Sequence, residues 1–230
     1  MIVKTWQLTK NNREKKLLDN ISISISNGKI TGIIGSDNSG KTTLLHIISG
    51  RKKHDKGRLE ILEHPVDRRS FRQVSYFPAG DILPGFLNGF ELIRFCQGLY
   101  PDFNQEKASS YADILKINLK QKLHLLTPQT RELIKNLLCL SRDTAVYMLD
   151  CPFVILDTPN AELLKTVIFT RIQPNNAILI TARDPNALET VCDDFLILAN
   201  GKSIFYGDAE DFRLHRNLSM TSFYKRALIK

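Results

Sequence analysis

The stretch GSDNSGKT, from Gly35 to Thr42, has the spacing G-x-x-x-x-G-K-[ST] and lies between two apolar runs. That spacing suits a phosphate group. Glycines let the backbone curl until successive N–H groups point inward at one anion, and a following helix adds the positive end of its dipole. A lysine in the place of Lys41 reaches the outer phosphates of a nucleoside triphosphate, and a hydroxyl in the place of Thr42 ligates Mg²⁺. The candidate nucleotide-binding residues are therefore Gly35, Ser36, Asp37, Asn38, Ser39, Gly40, Lys41, Thr42 and Thr43. A second apolar run, AVYMLD, ends in Asp150, the candidate partner of Thr42 in the magnesium shell. The next residue is Cys151, where a hydrolase working unaided would carry an acid. A thiol with a free pKa of ~8.5 is a poor general base, and nearby phosphates and Asp150 disfavour the thiolate further.

Holding these groups takes a strand before the loop, a helix after it and further buried strands. ISISIS (21–26) alternates strictly, so Ile21, Ile23 and Ile25 share one face of a half-buried strand. Asn27-Gly28 then predicts a hairpin into KITGII. The loop follows, and then a helix, TTLLHIISG, that stops at Gly50. GRLEIL reads as a further short strand. Residues 80–143 read as mostly helical, with apolar residues at i, i+3 and i+4 in NGFELIRFCQGLY and RELIKNLLCL. AVYMLD and AILITA fit buried strands of a parallel sheet, and DDFLILANGKSIFYGD fits a hairpin turning at Asn200-Gly201. The expected class is α/β, with a helical insertion.

Composition narrows the setting. The chain has 230 residues, 43% hydrophobic and 24% charged, enough for one sizeable core. No apolar run approaches the ~18 residues that cross a bilayer. MIVKTWQLTK lacks the pattern of a secretory leader, so an intracellular chain is expected. Cys96, Cys139, Cys151 and Cys192 are far apart and lack metal or redox spacing. The net charge of +8 and the basic cluster GRKKHDKGR (50–58) carry no nucleic-acid motif, and no nucleic-acid partner is expected.

Taken together, the segments resemble the ATP-binding subunit of ABC transporters over nearly the whole chain. LDNISISISNGKITGIIGSDNSGKTTLLHIISG resembles the family's opening, and DKGRLEI the strand that comes next. LITARDPNALETVCDDFLILANGKSIFYGD resembles its switch strand, following helix and terminal hairpin. Leu156-Asp157 match its D-loop. The resemblance implies the ABC ATPase fold: a P-loop core with a parallel sheet, an N-terminal antiparallel β part and an inserted helical subdomain. It implies one domain over 1–230, with the insertion at about 80–143 and a tail at about 208–230. It also implies ATP and Mg²⁺ as cofactors. The implied partners are a membrane permease and either a second ATPase chain or a second copy of this one. The implied place is cytoplasmic, peripheral on the inner face of the cell membrane.

Carried over position by position, the resemblance also implies lost parts. Asn12 stands in the stretch where an aromatic stacks on adenine, with Trp6 nearby in the first strand. Ala79 stands where a magnesium-sensing glutamine follows VSYFP. The signature L-S-G-G-Q is matched by Leu126, Thr127, Pro128, Gln129 and Thr130. Cys151 replaces the general-base glutamate, and Arg183 the switch histidine. Asp157 of the D-loop is retained. The expected function is an ATP-binding subunit coupled to a permease that hydrolyses ATP poorly alone. The alternatives are an active homodimeric transporter ATPase and an ATP-responsive regulatory or immunity protein.

Overall fold

A computed structural model describes residues 1–210 apart from Glu14, Arg68, Arg69 and Asp81, together with Ser222 and Tyr224. The expected C-terminal tail therefore lies mostly outside the described residues. The first half of the chain runs β1 (Val3–Asn12), β2 (Lys15–Ile25), β3 (Ile30–Ile34), α1 (Lys41–Ile48), β4 (Lys56–Ile61), β5 (His64–Pro65) and β6 (Val74–Phe77). Three helices follow: α2 (Gly89–Leu99), α3 (Gln105–Ile114) and α4 (Pro128–Leu140). Then come β7 (Val146–Leu149), α5 (Thr158–Arg171), β8 (Ala177–Ala182), β9 (Asp194–Ala199) and β10 (Lys202–Asp208).

The strands form two sheets. A four-stranded antiparallel sheet has the order β2-β1-β4-β5, and a six-stranded sheet the order β10-β9-β3-β8-β7-β6. In the larger sheet all neighbours are parallel except the β9–β10 hairpin, which turns at Asn200-Gly201 as its sequence predicts. The expected hairpin at Asn27-Gly28 does not form. β2 pairs with β1, not with β3. The turn instead carries the chain from one sheet to the other, and the Gly28 N–H donates to the Asn176 carbonyl at 2.7 Å. The physical reason lies in burial. All of β3 is buried, so it needs cover on both faces and a place in mid-sheet, whereas β2 alternates and lies at an edge.

The strand period of two divides the core cleanly. Ile30, Ile34, Tyr147, Leu149, Ile178, Ile180, Phe195 and Ile197 face one side of the large sheet, where α2 to α5 cover them. Ile33, Val146, Met148, Ala177, Leu179, Leu196 and Leu198 face the other, against α1 and the antiparallel sheet. Ile21, Ile23 and Ile25 fall in this second core, as their alternation predicts. Helices α2, α4 and α5 begin with a side-chain cap, whereas α1 starts from Gly40 without one. Asn88 and Glu91 form a capping box on α2, Thr127 caps α4 and Asp157 caps α5. Among the described residues no helix is long and apolar enough to cross a membrane.

The helical layer is fastened to the edge of the sheet by Arg142. Its guanidinium donates to both carboxylate oxygens of Asp102 at 2.9 and 2.8 Å and to the Val74 carbonyl at 3.0 Å. It also stacks over Tyr100, 4.2 Å from the ring centre. Arg142 is almost fully buried, so its truncation strands a half-buried carboxylate as well as removing packing. Arg142→Ala is expected to lower the unfolding free energy by about 2–3 kcal/mol. Urea denaturation followed by circular dichroism measures it. A loss within about 0.5 kcal/mol, as for an ordinary surface change, would show that the clamp contributes nothing.

Candidate functional site

Strand register assembles the site before any side chain acts. β3 lies beside β8 with Ile34 opposite Ala182, and β8 beside β7 with Ile180 opposite Leu149. The residues that leave these strands at their C-terminal ends, Gly35, Arg183 and Asp150, therefore emerge next to one another. That end of an open parallel sheet is where ligands bind. The loop from Gly35 then closes on itself. A Cβ on Gly35 would lie 2.2 Å from Ser39 Oγ. Gly40 has φ +109°, and a Cβ there would lie 2.8 Å from the Leu17 carbonyl oxygen. Both positions admit only glycine. Lys41 is turned back into the loop, donating to the carbonyls of Gly35 at 2.5 Å and Ser36 at 2.8 Å. Burial lowers its pKa from the ordinary lysine value, and an incoming anion would act against that shift.

Asp150 is the hub beneath the loop. It is nearly fully buried and receives three hydroxyl groups. Thr181 donates to Oδ1 at 2.7 Å, while Thr42 at 3.2 Å and Tyr76 at 3.3 Å donate to Oδ2. Burial, with Asp150 second, raises the Tyr76 phenol far above its usual value, so Tyr76 stays a donor. Thr181 Oγ1 also accepts the Cys151 N–H at 2.8 Å and lies 3.4 Å from the Cys151 sulfur. Cys151 sits at φ +54°, half-buried. Burial above all pushes its thiol above the ordinary value, opposed first by the Thr181 hydrogen bond, with Asp150 adding to the rise and Lys41 and Arg183 to the opposition.

A cavity of about 270 Å³ opens over the loop, lined by Asp37 to Thr43, Asp150, Cys151, Ala79, Arg183, Lys15 and Leu17. Arg183 Nε and Asp37 Oδ1 pair across its mouth at 2.8 Å. A second cavity of about 320 Å³ shares Ala79, Asp150, Cys151 and Arg183 and extends to Leu126, Pro128 and Arg131. At the start of α4, Thr127 Oγ1 accepts the Thr130 N–H at 3.2 Å and lies 2.9 Å from the Thr130 hydroxyl. Gln129 Oε1 accepts the Asp157 N–H at 3.3 Å and the Asn160 side-chain amide at 3.0 Å. Pro128 is the first residue of the helix and offers no N–H.

This arrangement of loop, buried carboxylate and helix start has a match in sequence. The profile of the family described as ABC transporter matches residues 18–159. The chain belongs to the ABC transporter ATP-binding family. An ABC transporter ATP-binding protein of Methanocaldococcus jannaschii is 28% identical over 215 residues, which cover 91% of this chain and 78% of that protein. In fold the chain is similar to a solved structure of an ATP-binding subunit of an ABC transporter. The TM-score is 0.87 at 20% identity, and all of both chains is covered. It is similar, too, to an ATP-binding cassette solved as a dimer in a post-hydrolysis state with ADP and Pi. There the TM-score is 0.79 at 17% identity, covering 90% of this chain and 99% of that one.

Within this ABC fold the structure brings together Gly35 to Thr43, Asp150, Cys151, Ala79 and Arg183 in one site. Leu126 to Thr130 and Asp157 stand apart from the loop and are joined to each other through Gln129. Asn12 ends β1, exposed, and Lys15 and Leu17 line the cavity in its place. Trp6 lies on β1 beneath the Arg58 guanidinium and lines a different groove with Tyr206. Sequence reasoning missed Tyr76, Thr181 and Tyr224. Tyr76 precedes the VSYFP alanine by three positions, but nothing local marks its hydroxyl as a ligand of Asp150. Tyr224 is buried against the core.

The raised Cys151 pKa has a measurable result. The thiolate fraction at pH 8 is below that of a free thiol, so iodoacetamide should alkylate Cys151 more slowly than glutathione. The rate should keep climbing above the pH where the glutathione rate levels off. Mass spectrometry of the Cys151 peptide over a pH series follows both, and a rate at pH 8 above that of glutathione would contradict the geometry.

Proposed function

We propose that this chain clamps MgATP in the Gly35–Thr42 loop, hydrolyses it poorly by itself, and serves a membrane permease beside a second ATPase chain. One observation carries this reading: the phosphate cradle and its buried carboxylate are complete, while the position that would activate water holds a shielded, neutral thiol. The donor set fits magnesium, because Thr42 Oγ1 and Asp150 Oδ2 are hard oxygen ligands on adjacent elements. When bound there, the ion neutralises phosphate charge and fixes phosphate orientation.

The chain's own groups account for the rest. The loop N–H groups and the start of α1 take the inner phosphates. Lys41 exchanges the Gly35 and Ser36 carbonyls for phosphate oxygens, which recovers the charge that burial disfavours. Thr181 is committed to Asp150 and the Cys151 N–H, and Tyr76 to Asp150, so neither hydroxyl is placed to take a proton from water. A general base contributes typically ~10²–10⁴-fold in rate, and Cys151 does not supply one. Ala79 and Arg183 leave the family's other catalytic positions without glutamine or imidazole.

In the family's head-to-tail pairing, the signature of one chain meets the nucleotide of the other. Here Thr127 caps its own helix, Pro128 lacks an N–H, and Gln129 is held by Asp157 and Asn160. A homodimer would combine that weakened signature with Cys151 and Arg183 at both sites. A partner with intact motifs separates the defects, which favours a heterodimer. Residues 1–230 then act as one ATP-binding domain, with α2 to α4 as the inserted helical part, held by a permease on the inner face of the cell membrane.

Lys41→Ala should weaken the binding of a fluorescent ATP analogue tenfold or more, about 1.4 kcal/mol or above, from lost charge-assisted contacts. Fluorescence titration of the folded chain measures it. Unchanged affinity would place the nucleotide elsewhere and overturn the reading.

A further inference from the structure

We propose that the Asp37 carboxylate is a built-in competitor for the terminal phosphate of a nucleoside triphosphate, and that Arg183 is the group for which both compete. This deepens the reading of the loop as an ATP site and rests on it. The geometry starts from register. Ile34 pairs with Ala182, and the Gly35 N–H donates to the Ala182 carbonyl at 3.2 Å. Arg183 must therefore leave its strand beside the first glycine of the loop, and Asp37 lies two residues along that loop. Their ion pair at 2.8 Å joins the two sides of the cavity mouth.

The place of Arg183 in the cavity selects the terminal phosphate. Arg183 lines both cavities, together with Asp150 and Cys151. Lys15 and Leu17 line only the loop cavity. The Lys41 amine reaches toward the outer phosphates from the buried floor of the loop, and Asp150 lies beneath that end beside Thr42. The guanidinium thus stands at the Asp150 end, where the outermost phosphate lies. It is planar, permanently charged and able to pair with either a carboxylate or a phosphate through two N–H groups. A diphosphate stops short of it and leaves the Asp37 pair intact. A triphosphate must displace Asp37, and an unpaired carboxylate then remains near its oxygens.

Both partners are largely exposed, with side-chain exposures of 59% and 65%, so the pair is a weak latch. The ceiling for an exposed ion pair corresponds to about fivefold in affinity. Asp37→Asn should therefore tighten ATP about threefold to fivefold and leave ADP within about twofold. The gain should vanish in an Arg183→Ala background, because nothing is then left to compete for. Calorimetric titration of ATP and ADP into the parent, both single variants, the double variant and Lys41→Ala reads all of these. An equal gain for ATP and ADP, a gain that persists without Arg183, or no gain at all overturns the latch while leaving the loop as the ATP site. A parent chain whose ATP affinity is absent or indifferent to Lys41→Ala overturns the site reading, and the latch with it.

Discussion

A buried carboxylate must be hydrogen-bonded or it costs stability, and Asp150 meets that demand with hydroxyls from three different parts of the fold. Thr42 comes from the first turn of α1, Tyr76 from β6 and Thr181 from β8. Satisfying one group thereby fixes the helix after the loop and two strands of the sheet in mutual position. The same carboxylate presents its oxygen to Thr42, which is the geometry a magnesium site needs. Stability and ligand binding thus draw on one network. Cys151, beside Asp150, is attached to that network only through its N–H and its sulfur contact with Thr181.

Charge at the mouth of the site tells the complementary story. Lys41 is buried and held by carbonyls, while Arg183 is exposed and held by Asp37. An anion entering the loop meets a cation that burial has stripped of water, and then one already paired with a carboxylate. The first arrangement favours binding of any phosphate. The second sets a small cost that depends on how many phosphates arrive. Neither moves a proton, which separates holding a nucleotide from cutting it.

How much of this was legible depended on how local the signal was. The glycine loop was readable because its geometry is written in eight consecutive residues, Gly35 to Thr42. Ile21, Ile23 and Ile25, and the runs ending in Leu149 and Ala182, were readable because burial on one face or two imposes its own period. Asn27-Gly28 misled because a turn dipeptide specifies a reversal but not which sheet receives the next strand. Asn12 ends β1 outside the loop cavity, whereas Lys15 and Leu17, three and five residues further on in β2, line it, a placement that strand register sets and local sequence does not show. Tyr76, Thr181 and Tyr224 were invisible for a different reason. Each is a common residue in an ordinary strand or tail, and only tertiary packing brings the Tyr76 and Thr181 hydroxyls to Asp150 and the Tyr224 ring into the core.

The central claim is that binding outlasts chemistry in this chain. The most direct measurement mixes the purified chain with substoichiometric radiolabelled ATP and Mg²⁺, isolates the bound nucleotide over several minutes, and identifies it by chromatography. The bound label should be recovered as ATP. Recovery as ADP with phosphate released at ~1 s⁻¹ or faster, the pace of an ordinary enzyme, would contradict it.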